Sequence, residues 1–251
     1  MNRKSREEIK LMCHAGYIVA LVHQEMKKVI EPGISTLELD SIANKIIREN
    51  KAIPTFLGYN GFPASICTSV NEQVVHGIPS KDVILKEGDI ISIDAGATFR
   101  GLVGDGAWTY AVGKITPDIQ NLLDVTERAL FKGIEQMLPD NRLENVSAAI
   151  VDVAVQAGVG IVRQYGGHGV GHDMHEEPFL FNYRTGSNII IKRNCAIAIE
   201  PMLNLGCDEV HTLADEWTVV TDDKKPSAHF EHTVVATEDG PLITTSLENK
   251  F

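Results

Sequence analysis

The chain has 251 residues, 43% of them hydrophobic, and a formal net charge of -11. Length and apolar content suit one packed core and argue against a disordered chain, while the acidic balance and scattered lysines and arginines argue against a nucleic-acid or anionic-membrane surface. Cys13, Cys67, Cys195 and Cys207 form no C-x-x-C pair and read as reduced thiols of a cytoplasmic protein.

The apolar stretch from Ile18 to Val22 is too short for a signal h-region, and no segment approaches a transmembrane span. Ile9, Met12, Gly16, Val19, Val22, Met26 and Ile30 instead step at helical spacing. They predict a helix from about Glu7 to Ile30, stopped at Pro32-Gly33. Ser35 and Glu38 have capping-box spacing ahead of a second helix that ends near Asn50. A loop rich in aromatics and glycine follows, with Phe56, Tyr59 and Phe62. Strands are expected at 64–70 and 73–76, then a hairpin of 89–94 with 102–112, turning at Arg100-Gly101. Thr116-Pro117 opens a third helix that Pro139 ends, and a fourth covers 143–157, closed by Gly158. Later strands are expected at 196–200, 210–213, 217–220 and 228–236. No Ser/Gly-rich linker divides the chain, so residues 1–251 read as a single domain. Gly88 to Asp94 echoes Asn194 to Glu200: each is an apolar strand closing on a carboxylate, which hints at duplication with two-fold symmetry.

The chemistry-bearing residues sit in those strands. Asp94, Asp105, Glu200 and Glu231 are carboxylates in contexts that read as buried, where an isolated charge is costly unless paired, protonated or metal-bound. Gly166 to Pro178 carries His168, His172 and His175 among glycines. The i, i+4 spacing of His168 and His172 suggests a helical metal pair, but that glycine density disfavours a helix. A glycine-rich strand or loop that projects His168 and His175 separately is expected instead. His76 precedes Gly77 in a turn-like segment. Four carboxylates with one imidazole make an oxygen-rich set, suited to manganese, iron(II) or cobalt rather than to a thiolate zinc centre. Their charge would balance two divalent ions.

Five segments resemble type I methionine aminopeptidases: Asn71 to Pro79, Ile93-Asp94, Gly104-Asp105, Gly167 to Pro178, and Ile199 to Met202 together with Glu231-His232-Thr233. The resemblance runs in family order along nearly the whole chain. It implies an α+β fold, the duplicated pita-bread architecture with pseudo-two-fold symmetry, an antiparallel sheet flanked by helices. It implies two divalent metals, with Asp94 on one, Asp105 and Glu231 bridging, and His168 and Glu200 on the other. Glu200 would also be the general base. His76 would contact the scissile amide, and His175 the substrate carbonyl and oxyanion. A methionine pocket would draw on Phe56, Tyr59, Phe62, Cys67, Met174 and Trp217. A sodium-type monovalent cation site would fall near Asn71, Gln73 and Ser227. The implied substrate is the N-terminus of a nascent polypeptide, with transient ribosome association and a monomeric state.

Gly96, Gly106, His172, Asp173 and His229 depart from the family's usual pattern. Proline dipeptidases and aminopeptidases P share the implied fold but usually carry an additional N-terminal domain, whereas 93 residues precede Asp94. Non-catalytic binding modules of this fold should have lost ligands, and all five positions are present here.

Overall fold

The structure is a computed structural model that describes residues 1–249. Helices α1 (Arg6–Val29) and α2 (Thr36–Glu49) both start on capping boxes, Ser5 with Glu8 and Ser35 with Glu38. Strands β1 (Ile53–Pro54), β2 (Ile66–Val70), β3 (Gln73–Val75), β4 (Ile90–Phe99) and β5 (Leu102–Ala111) follow. Helix α3 (Pro117–Ile134) is capped by the Thr116 side chain, and α4 (Leu143–Ala157) ends on Gly158 at φ 69°. Helix α3 stops short of Pro139, because tighter turns through Glu135–Leu138 replace the helical ladder. The second half continues with β6 (Gly160–Ile161), β7 (Gly166–Gly169), β8 (Glu176–Phe181), β9 (Ala196–Ile199), β10 (Met202–Asn204), β11 (Val210–Thr212), β12 (Val219–Thr221), β13 (Ser227–His229), β14 (His232–Thr237) and β15 (Gly240–Ile243).

Each half thus supplies two helices and an antiparallel sheet. In the first sheet β4 lies between β2 and β5, with β1 also on β4; the second has the order β15-β14-β9-β7-β8. Two smaller sheets, β13-β10-β6 and β11-β12-β3, join them. The α1/α2 layer buries Ile18, Val22 and Leu39 against Ile91 and Ile93, and the α3/α4 layer buries Leu130 and Ile150 against Ile197 and Phe230. The two echoed segments fall in equivalent places, in β4 and β9. Helix α1 approaches β5 very closely: a Cβ on Gly104 would lie 2.5 Å from the backbone nitrogen of Gly16.

Further expectations change. Asp94 lies within β4 rather than at its end, since the strand runs on to Phe99. The strand expected over 228–236 is two strands, β13 on β10 and β14 on β9. Strands β1, β6, β8, β10 and β15 lie outside the expected ranges. The break at Phe230-Glu231 mirrors a break at Glu200-Pro201, where β9 gives way to β10 and proline withholds an amide from the ladder. At both breaks the chain changes between the β15-β14-β9-β7-β8 sheet and the β13-β10-β6 sheet, each time at a carboxylate. At the second change the Glu231 amide donates to the Ala107 carbonyl at 2.8 Å, which fixes Glu231 against the strand that carries Asp105.

Candidate metal centre

In the β4–β5 ladder Asp94 pairs with Ala107 and Gly96 with Asp105, so the two aspartates share one face of the hairpin. Strand β7 carries His168 at its buried third position. The surrounding glycines permit close packing, since a Cβ on Gly167 would lie 2.2 Å from the Ala198 carbonyl oxygen. His168 is a strand residue, as the glycine density implied.

His168 Nε2 lies 3.6 Å from Asp105 Oδ2 and 3.5 Å from Glu200 Oε1. His229 Nε2 lies 3.4 Å from Glu200 Oε2 and 4.0 Å from Glu231 Oε2. Two donor groups result, Asp105/His168/Glu231 and Glu200/His229/Glu231, each with its ligand atoms within 4.8 Å of one another. Glu231 belongs to both. Asp94 Oδ1, Asp105 Oδ1, Glu231 Oε1 and His229 Nε2 are buried without a hydrogen-bond partner. Orphaned carboxylate oxygens are expensive in a protein interior, and they suit divalent cations with oxygen ligands.

The electrostatics agree. Burial, and then the charges of Asp105 and Glu200, push Asp94 well above the usual carboxylate range. Burial and the same neighbours, joined by Asp94, do so for Glu231. Burial opposes a charge on His168, but Asp105 and Glu200 override it and raise the imidazole to about 9. These groups hold protons in one another's place, and bound cations would displace them.

Two further imidazoles face the cluster. His175 Nδ1 pairs with the Tyr59 hydroxyl at 2.8 Å, and its ring centroid is 4.3 Å from that of His168. Burial, then His168, lowers its pKa. His76 sits at φ 61°, an uncommon conformation for a residue with a side chain, with its ring edge-on to Tyr165 and Trp217. Burial pushes it down to about 4, so it is neutral at pH 7.

A cavity of about 200 Å³ gathers these groups. Asp94, Asp105, His168, Glu200 and Glu231 line it together with His76 and His175. Its apolar lining comes from Phe56, Tyr59, Phe62, Cys67, Met174 and Trp217, which also pack together as one apolar cluster. Every metal-ligand, catalytic and pocket residue expected from sequence therefore meets in one place. Burial raises the Cys67 thiol well above its ordinary value, with Asp94 next in effect, so it is a neutral apolar wall. Asn71 and Ser227 also meet, the Ser227 amide donating to the Asn71 carbonyl at 2.9 Å, and the Gln73 side chain accepts from Val70 nearby.

Some residues were missed or undervalued. Asn60 lines the main cavity, and a second cavity of about 120 Å³ shares His76 and His175 and adds Tyr165, Gly166 and Phe179. No spacing rule singles out Asn60, Tyr165 or Phe179. His229, in sequence only a departure from the family pattern, is buried beside Glu200 and Glu231. The glycine at 96 has a local reason, since a Cβ there would lie 2.6 Å from the Phe56 ring.

The chain matches the model of metallopeptidase family M24 over residues 10–238. It belongs to that family. Among curated M24 relatives it is 53% identical to methionine aminopeptidase 1 of Bacillus subtilis over 243 residues, 96% of this chain and 98% of the relative. It is 39% identical to the Escherichia coli methionine aminopeptidase over 96% of this chain and 92% of that protein. The crystal structure of methionine aminopeptidase from Thermotoga maritima superposes with a TM-score of 0.96 at 40% identity, covering 98% and 99% of the two chains. Prolidase from Pyrococcus furiosus, at 21% identity and TM-score 0.78, shares the fold over 97% of this chain and 65% of its own. The duplicated layers described above are the M24 pita-bread fold. Among the described residues no helix is long and apolar enough to cross a membrane, and all four cysteines are free.

Proposed function

We propose that this M24 metallopeptidase is a methionine aminopeptidase that removes the initiator methionine from nascent polypeptides with a small second residue. The observation that carries the reading is the single cavity in which a carboxylate–imidazole cluster meets an apolar slot containing Cys67 and Met174. A polarizable apolar slot suits an unbranched thioether, and neighbouring acids suit a free α-amine.

In this reading Asp94 would hold one divalent ion, His168 and Glu200 would hold the other, and Asp105 and Glu231 would be shared between them. Cobalt, manganese or iron(II) fits such a donor set. Bound there, the ions supply Lewis acidity, lowering the pKa of water and polarising the scissile carbonyl. Glu200 takes a proton from the attacking water. Neutral His175, oriented by Tyr59, donates a hydrogen bond to the carbonyl oxygen as negative charge develops on it. Neutral His76, which lines the same cavity, would contact the scissile amide. A sodium ion on backbone carbonyls near Asn71, Gln73 and Ser227 would stiffen the β2–β3 turn. We place the enzyme in the cytoplasm as a one-domain monomer, meeting its substrates at or near the ribosome without binding nucleic acid.

The test is peptide hydrolysis by metal-reconstituted protein. Release of methionine from Met-Ala-Ser, faster than cleavage of an Xaa-Pro dipeptide, is expected. The reverse order overturns the substrate assignment in favour of a proline-specific enzyme.

A further inference from the structure

Lys4 is buried, which is rare for lysine and requires a partner. Its Nζ reaches both oxygens of Glu176, at 2.9 and 2.8 Å, and the two side chains are 3% and 7% exposed. Glu176 is shared further. Its Oε1 accepts from the His172 amide at 3.0 Å and its Oε2 from the Asn2 side chain at 3.1 Å. The carboxylate therefore closes a tight loop between His172 and Glu176, and Lys4 plugs the loop from behind. A Cβ on Gly171 would lie 1.9 Å from Lys4 Nζ, so the fit leaves no room for a side chain there. Lys4 is itself fixed, since its amide donates to the Asn194 carbonyl at 2.7 Å. On the outer side, His172 Nε2 lies 2.8 Å from Glu8 Oε1 and Nδ1 lies 3.1 Å from the Gly101 carbonyl.

The loop held in this way carries Met174 and His175 at its tip. A buried ion pair adds little net stability compared with apolar residues of the same volume. What it supplies here is position, because it ties both ends of the loop to the N-terminal segment.

We propose that Lys4 is a positioning residue for His175: through Glu176, the N-terminal segment acts as a strap that fixes the imidazole over the cluster. This rests on the reading of His175 as a group that touches the substrate carbonyl. A displacement of about 1 Å at such a group can cost on the order of 10²-fold in rate.

The experiment compares Lys4→Met, His175→Ala and the double variant, all metal-loaded, by kcat on Met-Ala-Ser, with metal content and melting temperature measured in parallel. Lys4→Met should lower kcat by about 10–10²-fold at unchanged metal content. In the His175→Ala background it should lower kcat no further, because the group it positions is gone. Should Lys4→Met not fold, Glu176→Gln carries the same test: it keeps an acceptor for the His172 amide and removes the charge that holds Lys4, with an expected several-fold loss that also vanishes in the His175→Ala background. Wild-type kcat in the strap variants, or an equal loss with and without His175, overturns the strap alone. Wild-type kcat in His175→Ala overturns the role of His175 and the strap with it.

Discussion

Nε2 of His168 lies 3.6 Å from Oδ2 of Asp105, although β7 and β5 belong to different sheets and different halves of the chain. The two atoms are too far apart for a strong hydrogen bond and well spaced for a common ion. Glu231 completes the group at the point where the chain changes sheet.

Metal dependence follows from that spacing. Chelation should abolish peptidase activity, and manganese, iron(II) or cobalt should restore it. Asp105→Asn and Glu231→Gln should each weaken binding of two equivalents of metal, because both side chains are proposed to bridge. Calorimetric titration measures this. Full activity in a verified metal-free preparation would refute the two-metal reading.

The imidazoles should separate into two kinds. His76→Ala and His175→Ala should lower kcat by on the order of 10²–10³ at near-normal metal content, the usual cost of one transition-state donor. His168→Ala should lose metal. Equal metal loss in all three variants contradicts these roles.

Substrate choice tests the slot. Methionine should leave Met-Ala-Ser rapidly, Met-Lys-Ser slowly, and N-acetylated Met-Ala-Ser not at all. Norleucine should replace methionine tolerably, since a methylene stands in for sulfur at similar volume, and leucine should be worse because of its branch. One metal-loaded preparation compared across these peptides is sufficient. Comparable rates on the free and acetylated peptides would remove the α-amine from the recognition scheme.

Acid should destabilise the fold partly through His23. Burial lowers this imidazole from 6.5 to about 4, with the Gly106 carbonyl and Asp105 opposing the shift. The folded pKa lies below the unfolded one, so the unfolded chain binds more protons between those values. The stability contribution is complete above pH 6.5 and is lost as pH falls through 4. The melting temperature should drop over that window, and His23→Gln should flatten the drop. An unchanged slope in the variant counts against this assignment.

The α1–β5 contact should tolerate no methyl group. Gly104→Ala places a Cβ against the Gly16 backbone, and should cost about 1–3 kcal/mol in urea unfolding, as overpacked cores do. Wild-type stability would mean that α1 can lift away without loss.

Local chemistry made much of this protein legible in its sequence. The capping box at Ser35, Pro117 at a helix start and Gly158 at a helix end act within a few residues, so they fix those helix ends without reference to the rest of the chain. The candidate ligand carboxylates stand out because charge amid apolar strand residues has few physical explanations. Tertiary structure alone decided how those residues meet. The strand expected over 228–236 breaks at Glu231 because its amide is taken by Ala107 of β5, a partner that no local pattern names. His229 looked like a peripheral departure until packing buried it beside Glu200 and Glu231. Lys4 is an ordinary exposed lysine by sequence, and only the return of Glu176 from the far half of the chain buries it. Helix ends and strand faces depend on neighbours in sequence, whereas the spacing of ligand atoms depends on neighbours in space, which only the folded chain brings together.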